Sequence, residues 1–229
     1  MFLKDLLFPK FCLGCGYLGS YICRKCQKNL YYVKNDTCLY CGRASLYGFT
    51  HPGCKRIKGI DGAMSIFYYN NLLKTIIKSI KYRFATEVWN EFRLVIKPEK
   101  LLKLDMYSSL AKTPFFIEAI PLHSNRLRLR GFNQAKLVAH FFNQFLQGSI
   151  SEYLVRIKDT PSQARLEKPG LRYSNIRGAF EVKTPEQIKN KKFIIIDDVM
   201  TSGSTLKEAA SVLKTHGATQ IFALTIAHG

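Results

Sequence analysis

The run Phe193-Ile194-Ile195-Ile196-Asp197-Asp198-Val199-Met200-Thr201-Ser202-Gly203-Ser204-Thr205-Leu206 restricts the fold more than any other part of the chain. Unbroken apolar residues behind two lysines, stopped by paired acids and then by small hydroxyl residues and a glycine, predict a buried strand feeding a helix through a tight loop. Strands apolar on both faces belong to parallel sheets covered by helices, and such sheets collect ligands at the carboxyl ends of their strands.

The chemistry of that loop follows residue by residue. Backbone N–H groups of residues 200–205, from Met200 onward, point outward at a helix N-terminus, and the hydroxyls of Thr201, Ser202, Ser204 and Thr205 add donors, so a phosphate group fits there. Gly203 permits the backbone to approach closely. Asp197 and Asp198 repel an anion but accept hydrogen bonds from the two hydroxyls of a ribose. Acids beside an anion cradle therefore point to a ribose phosphate. A Walker loop is excluded, because no Lys-Ser or Lys-Thr follows the glycine.

Cysteine usage divides the chain. All seven cysteines lie between Cys12 and Cys54 of 229 residues, which predicts a small cysteine-rich unit over residues 1–58 and a larger one over 59–229. With no secretory signal and no apolar run long enough to span a bilayer, the expected location is the cytoplasm, where paired cysteines bind metal more often than they form disulfides. Cys12/Cys15, Cys23/Cys26 and Cys38/Cys41 each hold two thiols two residues apart, and two such pairs complete a tetrahedral Zn²⁺ site with no open position. We assign Cys12, Cys15, Cys23 and Cys26 to one structural zinc; pairing Cys12/Cys15 with Cys38/Cys41 satisfies the spacing equally. Cys38, Cys41 and Cys54 lack a fourth cysteine, since Ile57 stands where it belongs. His51 is the remaining candidate, and a complete second zinc site is not expected. Metal binding of order ~10–16 kcal/mol then supplies most of the folding free energy of so small a segment.

The formal charge is +19, and residues 1–58 carry ten Lys/Arg against two Asp/Glu. A polyanion is the expected partner, either nucleic acid or an anionic membrane surface. Before the cysteines, Phe2, Leu3, Leu6, Leu7 and Phe8 form a short apolar stripe ended by Pro9, too short to cross a membrane.

In the larger part, residues 61–69 read as a strand. Residues 70–84 read as an amphipathic helix with Leu72, Leu73, Ile76, Ile77 and Ile80 inward and Lys74, Lys78 and Lys81 on a solvated face. Residues 89–107 read as another helical stretch. A strand from Phe115 runs into the polar turn Leu122-His123-Ser124-Asn125, and a helix to about residue 145 follows. Arg126, Arg128 and Arg130 alternate between them, as anion ligands or as an exposed edge. A short strand at residues 153–158 precedes a long polar segment, 159–178, with Gln163, Arg165, Lys168, Arg172 and Arg177, placed as a mobile flap. A helix ended by Gly217 and a last strand, 220–227, complete an α/β unit with a mainly parallel sheet.

The acid loop resembles the phosphoribosyl-pyrophosphate (PRPP) loop of type I phosphoribosyltransferases. The cysteine pairs, Arg130-Gly131-Phe132-Asn133-Gln134, the 163–180 segment with Arg172-x-x-Asn175-Ile176-Arg177-Gly178, and the acid loop together resemble the ComF family of competence-associated proteins. That resemblance implies a phosphoribosyltransferase-like fold behind a zinc domain. It implies PRPP with Mg²⁺ on Asp197 and Asp198, the 5′-phosphate on Met200, Thr201, Ser202, Gly203, Ser204 and Thr205, and the pyrophosphate on Leu122, His123 and Ser124. It further implies single-stranded DNA on Arg126, Arg128, Arg130, Arg165, Lys168, Arg172 and Arg177. A role in natural transformation follows, peripheral to the inner face of the membrane and beside a competence helicase or recombination mediator. Transfer to a base or nucleotide acceptor and PRPP sensing without catalysis are both consistent with the loop.

Overall fold

The computed structural model describes residues 9–82, 85–111, 114–160 and 174–229. The apolar stripe over residues 2–8, and Gln163, Arg165, Lys168 and Arg172, lie outside them.

Five parallel strands form the central sheet: β1 (Gly62–Tyr68), β2 (Phe115–Ala119), β3 (Ser149–Ser151), β6 (Lys192–Met200) and β7 (Gln220–His228), in the order β1-β7-β6-β2-β3. β4 (Leu154–Arg156) and β5 (Phe180–Val182) pair antiparallel outside it. The helices are α1 (Arg24–Gln27), α2 (Asn71–Tyr82), α3 (Ala85–Val95), α4 (Asp105–Ala111), α5 (Ser124–Arg130), α6 (Gln134–Leu146) and α7 (Ser204–Thr215).

The sheet separates two cores. Ile194, Ile196, Leu224 and Ile226 face α2, α3 and α6, with Ile76, Phe92 and Phe142 buried among them. The alternate residues Phe193, Ile195, Ile221 and Ala223 face α7 and the β4–β5 pair through Leu206, Ala209, Leu213 and Phe180. Burial on both faces is what a continuous run of isoleucines in a parallel sheet requires.

Several expected elements differ. β6 does not stop at the acids but continues through them to Met200, because β7 pairs with it throughout, Asp197 opposite Thr225 and Met200 opposite His228. Residues 89–107 are not one helix: α3 ends at Val95, and Pro98 begins a 3₁₀ turn that separates it from α4. The alternating arginines lie on α5, capped by the His123 imidazole, which accepts from the Asn125 N–H, and ended by Gly131 at φ 76°. The strand expected at 153–158 is β4, outside the main sheet, and β3 was not anticipated.

The cysteine segment is wrapped onto this frame. Tyr32 bridges Phe67 antiparallel, with Val33 N–H donating to the Ile66 carbonyl and Tyr68 N–H to the Tyr31 carbonyl, so the free edge of β1 is covered. From α3, the Glu91 carboxylate accepts from the Tyr21 and Ile22 amides at 3.1 and 2.6 Å, and Glu87 accepts from the Tyr21 hydroxyl at 2.9 Å. Tyr21, Ile22 and Leu30 belong to the same core as α2 and α3.

Candidate functional site

At the carboxyl end of β6, side chains from α2, α5, α6, β4 and the loop before α7, with Tyr69 just after β1, surround a cleft of roughly 1350 Å³, counted to its open mouth. Strand alternation sends Asp197 and Asp198 to opposite sides of β6. On the α2 side, Asp198 forms an ion pair with Lys81, their side chains 15% and 24% exposed. Asp197 turns back, its Oδ1 accepting from the Asp198 N–H at 2.8 Å.

This asymmetry separates the two acids. Burial raises both, but the Lys81 charge and hydrogen bond hold Asp198 below the usual carboxylate range. For Asp197, burial comes first and the neighbouring Asp198 charge second, and together they push it up to about 8. The Asp198 charge in turn outweighs burial at Lys81 and raises its ammonium.

Thr201, Gly203, Ser204, Thr205 and Leu206 line the cleft with Met200. Gly203 sits at φ 68°, a left-handed conformation that lets the chain turn into α7. Ser202 lies behind the lining: its hydroxyl is 2.7 Å from that of Ser204, and its carbonyl accepts from Lys207 Nζ at 3.0 Å. Leu122 reaches the wall. His123 does not; it caps α5 and stands 3.6 Å from Asp159, and Ser124 is exposed.

Helical geometry sorts the arginines. Arg126 and Arg130, four residues apart, share a face of α5 and line the cleft. Arg128 projects away and donates to Asn125 Oδ1 at 2.6 Å. Arg177 is exposed and does not line the cleft; its carbonyl accepts from Lys158 Nζ at 2.9 Å.

Sequence reasoning missed four contributors. Lys74 and Lys81 stand two helical turns apart on α2 and both line the cleft, so the face taken as solvated turns one edge into it. That seven-residue spacing was the available signal. Arg156, at an inward position of β4, is 7% exposed and contacts Thr160 Oγ1 at 2.5 Å and the Lys158 carbonyl at 3.4 Å. Burial, with the charge of Arg126 next, lowers its guanidinium to about 10, so it stays charged at neutral pH. No carboxylate among the described residues forms an ion pair with it. Gln134, 5% exposed, has its buried Oε1 without a hydrogen-bond partner among the described residues.

The cysteines gather into two centres. Cys12, Cys15, Cys23 and Cys26 place one ligand atom each within 4.8 Å of one another, and so do Cys38, Cys41, His51 and Cys54. The geometry selects the first pairing and completes the second set with His51, against the expectation of one site. Ile57 is 95% exposed and plays no part. His51 Nδ1 is 3.3 Å from Cys41 Sγ, and Nε2 is 3.1 Å from the Ala44 carbonyl, which fixes Nε2 as the donor and frees Nδ1 to ligate. Hydrogen bonds from the Arg43 amide and guanidinium bring the Cys41 thiol down to about 6, and at Cys12 the amides of Cys23, Gly14 and Cys15 outweigh burial to give about 6. Closed sets of four sulfur and nitrogen donors with thiolate character fit structural zinc.

No helix among the described residues is long and apolar enough to cross a membrane. Residues 3–58 match the double zinc ribbon domain and residues 150–229 the phosphoribosyl transferase domain. The chain is 25% identical to competence protein F of Haemophilus influenzae, over 88% of this chain and 94% of that protein. It is 27% identical to competence protein ComFC of Bacillus subtilis, over 86% and 79%, and 27% identical to the DNA utilization protein YhgH of Escherichia coli, over 91% and 90%. Two family matches in this order, with relatives that span nearly the whole chain, show a double zinc ribbon followed by a phosphoribosyl transferase domain, in a chain similar over most of its length to the competence proteins F and ComFC.

Proposed function

We propose that residues 59–229 bind PRPP in the cleft, and that the protein, stapled by zinc over residues 1–58, serves the uptake and use of single-stranded DNA. The observation that supports this most is the set of groups lining the cleft: the carboxyls of Asp197 and Asp198 at the end of β6, and the cations Lys74, Lys81, Arg126, Arg130 and Arg156 around them. A ribose bearing a phosphate and a pyrophosphate needs both. The 200–205 loop takes the 5′-phosphate, Asp197 and Asp198 the ribose hydroxyls, and Arg126, Arg130 and Arg156 the pyrophosphate. Two carboxylates are hard oxygen donors suited to Mg²⁺, whose chemistry here would be to neutralise charge on the pyrophosphate.

Transfer in this cleft would break the ribose C1′–O bond and form the C1′–N bond, with pyrophosphate leaving against the arginines and the acceptor N–H giving up its proton to water or to an ionised carboxylate. The DNA role draws on the names of the relatives and the charge of +19; attachment to an anionic membrane or to a competence helicase or recombination mediator draws on the same basis.

Calorimetry with PRPP and Mg²⁺ on the wild type and on Asp197→Ala/Asp198→Ala tests the site. Binding lost in the variant is expected, and an unresponsive wild type refutes it. Pyrophosphate release with a base or nucleotide acceptor separates transfer from sensing. Affinity for single strands should fall with salt at a log-log slope of about 0.7 per phosphate neutralised, and salt-independent binding counts against the DNA role.

A further inference from the structure

We propose that Leu39 and Tyr40, held between two ligands of the second metal centre, form the back wall of the phosphate loop, so that this centre sets the loop's shape and its grip on a phosphate monoester. The inference deepens the reading of the cleft and rests on it only for the identity of the ligand.

Three contacts carry it. A Cβ placed on Gly203 would lie 2.6 Å from Leu39 Cδ1, so the leucine is seated directly against the backbone at the tightest point of the loop. Leu39 packs on the core that also holds Met200 and Leu206, the apolar residues flanking that loop. The Tyr40 ring lies 5.2 Å from Lys207 Nζ, and that ammonium donates to the Ser202 carbonyl at 3.0 Å. Tyr40 is itself fixed, its hydroxyl accepting from the Ile60 N–H at 2.8 Å.

Beyond these contacts, the position of the two residues depends on the knuckle that carries them. They sit in a tight knuckle closed by Gly42 N–H donating to the Cys38 carbonyl, with Gly42 at φ 70°, and the segment from 38 to 54 contains only short turns and isolated bridges. Cys41 is exposed, and its thiol meets the other ligands of its set at His51 Nδ1, 3.3 Å away. Joining Cys38 and Cys41 to His51 and Cys54 through a metal makes the knuckle rigid, and rigidity there passes by contact to Gly203 and Ser202. The first centre contributes nothing comparable, because its segment docks on α3 through Glu87 and Glu91.

Leu39→Ala, Cys54→Ser and, as control, Cys15→Ser test the wall in the full chain. Zinc content is measured first, then hydrogen exchange of peptides covering residues 199–210 without ligand, then calorimetry with ribose 5-phosphate. Leu39→Ala should keep both metals yet exchange at least about tenfold faster over 199–210 and bind ribose 5-phosphate at least about tenfold more weakly. Cys54→Ser should lose one metal and reproduce that exchange, while Cys15→Ser loses the other and leaves residues 199–210 as in the wild type. Leu39→Met should restore the slow exchange. Unchanged exchange in Leu39→Ala with both metals bound overturns the proposal. A wild type that ignores ribose 5-phosphate while the exchange pattern appears as expected leaves the wall standing and refutes the ligand instead.

Discussion

Neutralising the two neighbouring acids one at a time should move stability in opposite directions. Asp197 is raised to about 8, so between pH 4 and 8 the native state keeps a proton that the unfolded chain has released, and stability falls as pH rises through that window. Restricting the comparison to pH 6–8 keeps the zinc thiolates ionised, and integration over that range gives a loss of about 2 kcal/mol for one proton. Asp197→Asn mimics the protonated form and removes that loss, so at pH 8 it should melt about 4–8 °C above the wild type and at pH 6 close to it. Asp198→Asn should do the reverse. It leaves the half-buried Lys81 without its carboxylate and costs about 1–3 kcal/mol at both pH values. Thermal scans of the three proteins at pH 6 and pH 8 decide the matter. Equal pH slopes for wild type and Asp197→Asn, or destabilisation by both variants at pH 8, refute the account of the cleft electrostatics.

Elemental analysis of the purified protein should find two zinc ions per chain, with Cys15→Ser and Cys54→Ser each losing one. Arg156→Ala removes a buried cation that has no carboxylate partner among the described residues; it should leave the melting temperature near that of the wild type while weakening pyrophosphate binding about 10- to 100-fold by calorimetry. Gly203→Ala should cost about 2–4 kcal/mol in denaturant unfolding, from a left-handed backbone and the clash with Leu39. In the double variant with Leu39→Ala only the steric part should be recovered, about 1–3 kcal/mol of coupling.

What the sequence made legible are features carried by many residues at once. β1, β2, β6, β7 and the apolar stripe of α2 each repeat one signal over several positions, and a sheet covered on both faces follows from them. β3 carried no such signal: Ser149-Ile150-Ser151 is exposed or half-buried, and its turn into β4 is held by Glu118, a carboxylate buried in β2 that accepts from Ser151, Tyr153 N–H and Leu154 N–H. α5 was hidden because Arg-Leu alternation imitates a strand, whereas its helical start depends on one imidazole and its end on one glycine. The loop and its acids were readable because they are contiguous. Lys81 and Arg156 were not, since each acquires its role by meeting a part of the chain far away, Asp198 and the cleft wall; His51 was readable as the candidate fourth ligand, and what spacing did not give was that the set closes around it.

The proposed ribose site also bears on where a DNA strand and PRPP would each bind. Acids that hold two adjacent ribose hydroxyls, as proposed, would gain nothing from deoxyribose, which lacks the 2′-OH, and the ionised Asp198 repels a phosphodiester chain. The cations of the cleft do not offset this for a polymer, because they converge on one cleft instead of tracking a backbone. A strand is better served by residues 1–58, where the formal charge is +8. DNA and PRPP should therefore occupy different surfaces, and a saturating concentration of PRPP should leave the affinity for a single strand unchanged in a fluorescence anisotropy titration at fixed ionic strength. Competition between them would place the DNA in the cleft and require that the acids have some other purpose than holding a ribose.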